Sequence, residues 1–357
     1  SGVLVEKLSG PLEFTRFGES SVILSGVSQT VGDDEPATNE NGTGVFSEFD
    51  NEATESEDLD GATWSQGDAT ITAGILGPDL VSNNAFTVTA VSSGTAIGKF
   101  IGSGNIGEVW TGGFFIRRRS GTGLVSITIG NDNPIDITSK VTSSWLFIQE
   151  TGDELIATSV RLRLVISAIG DEFDVTQAQL TKTAFPAPYI KTTTVPVTRA
   201  ADLLNFKALG NLPAQGLPFT IQVVCNMFYA DNTGSAIAVR DAVNGNTVAL
   251  QVSASRNSYF QLKTDSGTFF AGLSNTTLDE KIRYIVKYTG SEIKMYQNGV
   301  FIESMPVTGT PIYDLSCDIY IGTNGAGLSL NSETQHNKIW FVDMPAEEIA
   351  ARGGPDA

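Results

Sequence analysis

Cysteine and histidine are scarce in this sequence of 357 residues. There are two cysteines, Cys225 and Cys317, and one histidine, His336. Two cysteines without a CxxC pair are too few for a disulfide-built secreted module, so we expect reduced, buried thiols, with a disulfide as the alternative. A single histidine argues against zinc sites built on several imidazoles, and any Ser-His-Asp triad would have to use His336.

Basic residues are also few. The chain has 22 Lys and Arg against 40 Asp and Glu, which gives a formal net charge of −18. A charge of this sign opposes wrapping of a phosphate backbone, so the sequence predicts no nucleic-acid partner. It also keeps a protein soluble at high copy number.

Long apolar runs are missing. None approaches the roughly 18 residues that a membrane-spanning helix needs, so we expect no membrane insertion. The N-terminal stretch "SGVLVEKLSG" lacks the basic and apolar parts of a signal peptide. We therefore expect a chain that folds in a cytoplasm or leaves it by another route.

Helical periodicity is almost absent, and short alternating runs such as "ATITAGIL", "NAFTVTAVS" and "VRLRLVIS" take its place. Runs of this length, separated by Gly, Asn, Asp and Ser, are typical of antiparallel strands joined by turns. The sequence predicts an all-β protein with two antiparallel β-sandwiches. Its predicted parts are an N-terminal attachment arm (1–59), a first sandwich (60–185), a proline-rich connector (186–204) and a second sandwich (205–357).

Two local signals are specific within the second sandwich. "KMYQNGVFIES" contains Asn298-Gly299 between alternating residues, which predicts a two-residue hairpin because both positions tolerate positive φ. "DMPAEEIAARGG" has Pro345 followed by acidic residues and ends at Gly353, which predicts a short C-terminal helix.

Three acids in "VFSEFDNEATESEDLDGATW" suggest chemistry. Glu48, Asp50 and Glu52 alternate, so on a strand they share one face. Paired carboxyl groups about 5 to 5.5 Å apart are the arrangement of a retaining glycosidase, so the alternative function is a glycan depolymerase, a glycoside hydrolase that uses these three residues. The acids continue without alternation to Asp60, and the triplet itself lies outside both predicted sandwiches. We therefore predict a protein that is not an enzyme and has no catalytic residues.

The sequence predicts no cofactor, with calcium as the one candidate. Asp231, Asn232 and Asp241 flank a loop where oxygen ligands could gather this ion. Turn chemistry explains the same residues, and it is the interpretation we favour.

The second half resembles the laminin-G-like, concanavalin A-like lectin modules of bacterial and phage proteins. The resemblance covers a strand ending in Tyr-x-Gly, an Asn-Gly hairpin, an Ile-Gly strand end, a tryptophan-containing strand and a Pro-x-Glu-Glu-Ile helix. The matching residues are Tyr288, Gly290, Asn298, Gly299, Ile321, Gly322, Trp340 and Glu347 to Ile349. The match implies a fold more specifically than a ligand.

The first half resembles the carbohydrate-binding-module-like jelly roll found beside such modules in structural proteins of tailed bacteriophages. Trp64, the "SGTGLVSITIG" hairpin and Trp145 carry this resemblance. The joint resembles a phage connector that ends Thr-Arg-Ala-Ala-Asp, matched by Arg199 to Asp202, although Lys191 stands where that pattern has proline. The arm is loosely similar, with Glu48, Ser56, Glu57 and Asp58 at matching positions, which implies structural roles for the acids.

The resemblance implies a structural virion protein of a tailed bacteriophage. We expect it to be located on the virion surface after assembly in the host cytoplasm, either as a receptor-binding tail fibre or as a capsid decoration. It implies attachment to other virion proteins through the arm, recognition of a host-surface glycan and a homo-oligomer, with a trimer expected.

A glycan site would use outward rings and loop polar groups. Most of Tyr259, Phe260, Phe269, Phe270 and Tyr288 are expected in the core, but alternation turns one of Tyr259 and Phe260 outward. The loop predicted at 323–337 supplies donors and acceptors at a sandwich rim. Our glycan-binding candidates are Tyr259, Thr323, Asn324, Asn331 and His336, for a neutral sugar because the chain is acidic. The alternative is that the loop only turns the chain and Tyr259 packs against the first domain.

Overall fold

The structure, a computed structural model, describes most of the chain. The described residues are 13–15, 20–24, 27–31, 38–39, 42–46, 48–130, 133–208, 212–227, 234–241, 244–253, 257–273, 280–313, 315–322, 332–340 and 344–352. They contain one short helix and many antiparallel strands, so the predicted all-β class is confirmed.

The strands are short and follow one another closely along the chain. The first thirteen are β1 (Glu13–Thr15), β2 (Ser20–Leu24), β3 (Val27–Val31), β4 (Thr38–Asn39), β5 (Gly42–Val45), β6 (Phe49–Asn51), β7 (Ala69–Ile75), β8 (Ala85–Ala90), β9 (Thr95–Ser103), β10 (Thr111–Ser120), β11 (Val125–Ile129), β12 (Pro134–Asp136) and β13 (Leu146–Thr151). The next fourteen are β14 (Ser159–Ile166), β15 (Glu172–Thr181), β16 (Val197–Arg199), β17 (Leu203–Lys207), β18 (Phe219–Met227), β19 (Gly234–Asp241), β20 (Gly245–Val252), β21 (Ser258–Thr264), β22 (Gly267–Leu273), β23 (Lys281–Tyr288), β24 (Glu292–Gln297), β25 (Val300–Pro306), β26 (Asp318–Ile321) and β27 (Ser332–Trp340). Helix α1 (Ala346–Ala351) follows them.

The chain forms two compact units. The first sandwich comprises residues 17–33 and 48–200, and the second comprises 1–16, 34–47 and 201–357. The first has a five-stranded sheet in the order β13-β10-β15-β8-β7 and a four-stranded sheet in the order β12-β11-β14-β9. Strand β14, "SVRLRLVI", shows why the sheets pack: Val160, Leu162, Leu164 and Ile166 are buried, and the residues that alternate with them are half-buried. Buried side chains from both sheets form one core.

A third layer covers the outer face of the five-stranded sheet. Phe185, Tyr189 and Ile190, which belong to the proline-rich stretch, are each at most 2% exposed. Gln179 of β15 donates to the carbonyl oxygens of Ala187 and Pro188 and accepts from the backbone N–H of Ile190. The stretch is therefore a packed element rather than a free linker, because its extended backbone finds hydrogen-bond partners on the sheet.

The second sandwich consists of two seven-stranded sheets. Their strand orders are β1-β17-β26-β19-β20-β21-β22 and β25-β24-β23-β18-β27-β5-β4. The core lies between them and includes Phe219, Phe260, Tyr284 and Tyr288. In β21, "SYFQLKT", burial alternates strictly, which assigns one face to this core and the other to the outer surface.

The predicted arm is divided between the two units. Strand β1 pairs with β17 and β5 pairs with β27 in the second sandwich, whereas β6 pairs with β16 in the first. The Asp202 carboxylate accepts the backbone N–H of Phe46 at 2.9 Å, and the N–H of Asp202 donates back to the Phe46 carbonyl oxygen. The predicted boundaries at 59, 185 and 204 thus differ from the observed units, because strand pairing distant in sequence decides which core each segment joins.

Both specific local signals of the second sandwich are confirmed. Asn298 and Gly299 have φ of 50° and 80° and join β24 to β25 in a two-residue turn. Helix α1 begins after Pro345 with Glu347 and Glu348 in its first turn, and it is anchored by Ile349, which is fully buried. Within the described ranges no helix has the length and apolarity to cross a bilayer.

Candidate functional site

Tyr259 lies on the outer face of the sheet that contains β20, β21 and β22. Its neighbour Phe260 is fully buried in the core, whereas Tyr259 is half-buried on the opposite face. The prediction that one ring of this pair points outward is confirmed. Its role in binding stays a prediction.

Phe270, on the neighbouring strand β22, lies beside Tyr259. The two ring centroids are 5.7 Å apart with planes at 70°, an edge-to-face pair. Phe270 is 47% exposed, so it is one of the two aromatic residues of the predicted set of five that lie outside the core. The signal was present in "GTFFAGL", because alternation must turn Phe269 and Phe270 to opposite faces and Phe269 is the one that packs on the core.

Polar side chains flank the two rings. Gln261 is the cross-strand partner of Phe270, and its Nε2 donates to the Asn246 carbonyl oxygen at 2.5 Å. Lys263 Nζ donates to the Asn244 carbonyl oxygen at 3.1 Å. We call Tyr259, Gln261, Lys263 and Phe270 the aromatic surface. It combines exposed ring area with an amide and an ammonium held by the fold.

The position of Tyr259 depends on a glycine. Its cross-strand partner is Gly272, where a β-carbon would lie 2.9 Å from the Tyr259 Cβ and 3.1 Å from the Ser258 carbonyl oxygen. Glu303 Oε2 accepts the Gly272 N–H at 2.5 Å and holds this strand in place. A tyrosine paired with a strand glycine is a recurrent way to cover the gap left by the missing side chain. The Tyr259 ring is therefore positioned by rigid strands, and a site built on strands has a more precise geometry than a site built on a loop.

The predicted glycan loop lies mostly outside the described residues. Thr323, Asn324 and Asn331 are among the residues that the structure does not describe. His336 falls within β27, so residues 332–337 are strand and not loop, as a correction to the prediction. The physical reason is tertiary: β18 pairs along one edge of β27 and β5 along the other, and these ladders extend the strand into a polar stretch.

The calcium candidates are described only in part. Asp231 and Asn232 lie outside the described residues. The Asp241 carboxylate accepts the backbone N–H of Asn244 at 2.7 Å through Oδ1 and is 4.0 Å from the Cys317 sulfur through Oδ2. Within the described ranges, no three His, Cys, Asp or Glu side chains form a group that could hold a metal ion. Asp241 is used as a turn residue, the interpretation that the sequence favoured.

Both cysteines are free thiols. Cys225 lies in the core of the second sandwich, where burial raises the pKa of its thiol to about 12. Cys317 is half-buried. The expectation of reduced thiols agrees with this arrangement.

The acidic triplet has the geometry that alternation predicts. On β6, Phe49 and Asn51 are buried while Glu48 and Asp50 are exposed, and Glu52 follows half-buried. Burial raises the pKa of Glu52, with the neighbouring Asp50 carboxylate adding to the effect. A cleft of about 470 Å³ in the same unit is lined by other acids, namely Glu55, Glu57 and Asp58, and not by the triplet. Glu48 and Asp50 therefore face solvent outside this cleft.

No family model and no curated protein matches the chain. Solved structures with some similarity include the CBM40 module of a Ruminococcus gnavus IT-sialidase bound to α2,3-sialyllactose (12% identity, TM-score 0.33, covering 39% of this chain and 83% of that one). Another is the receptor-binding domain of botulinum neurotoxin mosaic serotype C/D, with 10% identity and a TM-score of 0.34, covering 42% of this chain and 39% of that one. A third is a native heptameric SAP-like pentraxin from Limulus polyphemus, with 13% identity and a TM-score of 0.30, covering 38% of this chain and 69% of that one. Scores this low carry no inference about function.

Proposed function

We propose that this chain is a non-enzymatic structural protein of a tailed-bacteriophage virion, and that its second sandwich recognises a neutral glycan on the host surface. The observation that carries the glycan part is the aromatic surface. The virion part rests on the sequence resemblance, whose segments follow the same order along nearly the whole chain.

The aromatic surface suits a sugar for two reasons. Exposed aromatic rings offer apolar area to the C–H face of a pyranose at low conformational cost, and Tyr259 adds a hydroxyl that can hydrogen-bond. Gln261 and Lys263 provide polar groups beside the rings, as binding sites with few but well-placed polar groups require. The charged member of this surface, Lys263, has an ammonium group with three donors, which can hydrogen-bond to sugar hydroxyl oxygens.

The test of glycan recognition is a double variant, Tyr259→Ala with Phe270→Ala, probed on an array of neutral and acidic bacterial-surface oligosaccharides. Stacking on one ring contributes about 1–3 kcal/mol in nucleobase systems, and about 1.4 kcal/mol is a tenfold change. We expect the wild-type protein to bind neutral oligosaccharides and the variant to lose at least tenfold in affinity.

A matched control is available in the other sheet of the same sandwich. Phe301 is 52% exposed and packs edge-to-face on Tyr296 with centroids 5.6 Å apart, so Phe301→Ala removes a similar exposed ring from a similar pair. The control should bind as the wild type does. Equal binding by the double variant and the wild type, with unchanged melting temperatures, would reject the aromatic surface as the site.

The virion assignment is tested separately. Labelled antibodies against this chain should bind intact particles, and the encoding genome should carry terminase, portal and tail genes nearby. We expect a trimer attached through its N-terminal segment, so light scattering should give the mass of three subunits. A genome neighbourhood without any phage morphogenesis gene contradicts the virion proposal while leaving glycan binding open.

A further inference from the structure

A second concave site lies on the first sandwich. It is a cavity of about 410 Å³ on the four-stranded sheet, where β9 and β14 run side by side. Its described lining residues, which we call the arginine pocket, are Ser65, Gly67, Ala96, Gly98, Lys99, Phe100, Arg161 and Arg163. This volume is within the range typical of small-molecule sites.

Strand alternation brings the two arginines to one face. In β14 Val160, Leu162 and Leu164 are among the buried residues, so Arg161 and Arg163, which alternate with them, point together to the outer side of the sheet. The register then places Arg161 opposite Phe100 and Arg163 opposite Gly98.

Two glycines keep the site open. A β-carbon at Gly98 would lie 2.5 Å from Cγ of Arg163 and 2.9 Å from the Leu162 carbonyl oxygen, so only glycine lets the Arg163 side chain cross β9 here. Gly67 has φ of +48°, and a β-carbon there would lie 2.5 Å from the Ala96 carbonyl oxygen. The segment before Gly67 is fixed by paired backbone hydrogen bonds between Ser65 and Gly98. The backbone conformation at these glycines and the hydrogen bonds of Ser65 therefore fix the wall of the pocket.

The charged side chains on the pocket side of the sheet are the two arginines. Lys99 pairs with buried Leu162 and therefore points to the opposite, inner side, where its Nζ donates to the Thr54 carbonyl oxygen at 2.9 Å and lies 3.8 Å from the Glu55 carboxylate. Arg161 is positioned by Nη2, which donates to Ser159 Oγ at 3.1 Å. Two neighbouring guanidinium groups are suited to a carboxylate, because their planar donors match its two oxygens.

An exposed ring completes the site. Phe100 is 62% exposed although it lies on a strand, directly opposite Arg161. An apolar ring beside paired guanidinium groups fits a ligand that has both an apolar face and a negative charge. A sugar ring that bears a carboxylate has this chemistry in one residue.

We propose that the arginine pocket binds a carboxylate-bearing sugar, with Arg161 and Arg163 on the carboxylate and Phe100 against the sugar ring. The net charge of −18 disfavours anionic ligands over the surface as a whole, but Arg161 and Arg163 make this pocket locally basic. Exposed charges more than about 8 Å away are largely screened at physiological ionic strength. This site is separate from the aromatic surface, and the proposal stands whether or not that surface binds neutral glycan.

The experiment measures binding to galacturonate, glucuronate and N-acetylneuraminate oligosaccharides, each alongside its methyl ester, by titration calorimetry with the full chain. The ester keeps the ring and removes the charge. We expect at least one acid to bind, its ester to bind at least tenfold more weakly, and the affinity of the acid to fall with added salt.

The test variant is Arg161→Gln with Arg163→Gln. Its matched control is Lys140→Gln with Lys182→Gln, since these lysines are 52% and 58% exposed, lie in the same sandwich and carry the same total charge. The arginine variant should lose at least tenfold in affinity and the lysine variant less than twofold, and Phe100→Ala should weaken binding of the acid as well. A second variant, Arg161→Lys with Arg163→Lys, retains charge and should recover only part of the affinity, because ammonium groups lack the planar fork.

Several outcomes would overturn the proposal. They are no binding by any of the acids, equal binding of acid and ester, or loss of binding in the lysine control as large as in the arginine variant. Tighter binding of inorganic phosphate or of a single-stranded oligonucleotide than of any acidic sugar would also overturn it and assign the pocket to phosphate chemistry. Tyr259→Ala with Phe270→Ala should leave acid binding unchanged, so failures of the two proposed sites are distinguishable.

Discussion

Asn51 links the layers of the first sandwich through four hydrogen bonds. It is fully buried. Its Nδ2 donates to the carbonyl oxygens of Ala178 at 3.2 Å and Ile190 at 2.7 Å, and its Oδ1 accepts the backbone N–H groups of Ala53 and Leu180, both at 3.0 Å. One side chain therefore joins β15, the segment after β6 and the proline-rich stretch.

Replacement by alanine, Asn51→Ala, removes all four hydrogen bonds and leaves two donors and two acceptors buried. At about 1 kcal/mol net per bond, the expected loss in the free energy of unfolding is about 4 kcal/mol. For a domain of this size about 1 kcal/mol lowers the melting temperature by roughly 2–4 °C, so the first sandwich should melt roughly 10 °C earlier. Asn51→Asp should be at least as destabilising at neutral pH, because a carboxylate cannot donate to the two carbonyl oxygens.

Scanning calorimetry of the full chain measures this change. The control is Asn133→Ala, which removes an exposed bond from Asn133 Nδ2 to Asp153 Oδ2 at 3.0 Å and should change stability by less than about 0.5 kcal/mol. If Asn51→Ala cost no more than this control, the claim that Asn51 holds the outer layer on the sheet would be wrong.

Two further predictions concern titratable groups. Hydrogen bonds from Lys182 and Asn105 lower the pKa of Glu108 from 4.5 to about 2, so the stabilising contribution of Glu108 is present above pH 4.5 and is lost as the pH falls towards 2. The difference in melting temperature between the wild type and Glu108→Gln should therefore shrink over that interval, and a constant difference would contradict this assignment. Burial raises the pKa of Cys225 to about 12, so Cys225 should resist iodoacetamide at pH 8 in the native protein and react after unfolding in urea. Peptide mass spectrometry measures this difference, and alkylation of Cys225 in the native protein would show that the core of the second sandwich is open at this residue.

Local sequence was sufficient for the fold class and for several details. Alternation in "SVRLRLVI" and "SYFQLKT" assigns core and outer faces because side chains on a strand have a period of two, whatever the partner strand is. The Asn298-Gly299 turn and the helix after Pro345 follow from backbone preferences of the residues themselves. Alternation also places Tyr259 and Phe260 on opposite faces, although it does not decide which of the two rings is outward.

The tertiary structure decided which strands pair and which side chains become neighbours. Alternation shows that Arg161 and Arg163 share a face, but only the register of β14 on β9 places Phe100 and Gly98 beside them to form a pocket. Likewise, nothing within residues 1–59 indicates that β5 joins the second sandwich while β6 joins the first, or that Asn51 bonds to residues more than 120 positions away. Hydrogen-bond ladders are chemically alike along every strand, so the choice of partner depends on which pairing buries the most apolar surface and leaves the fewest polar groups unpaired. That choice is a property of the whole chain and not of any segment.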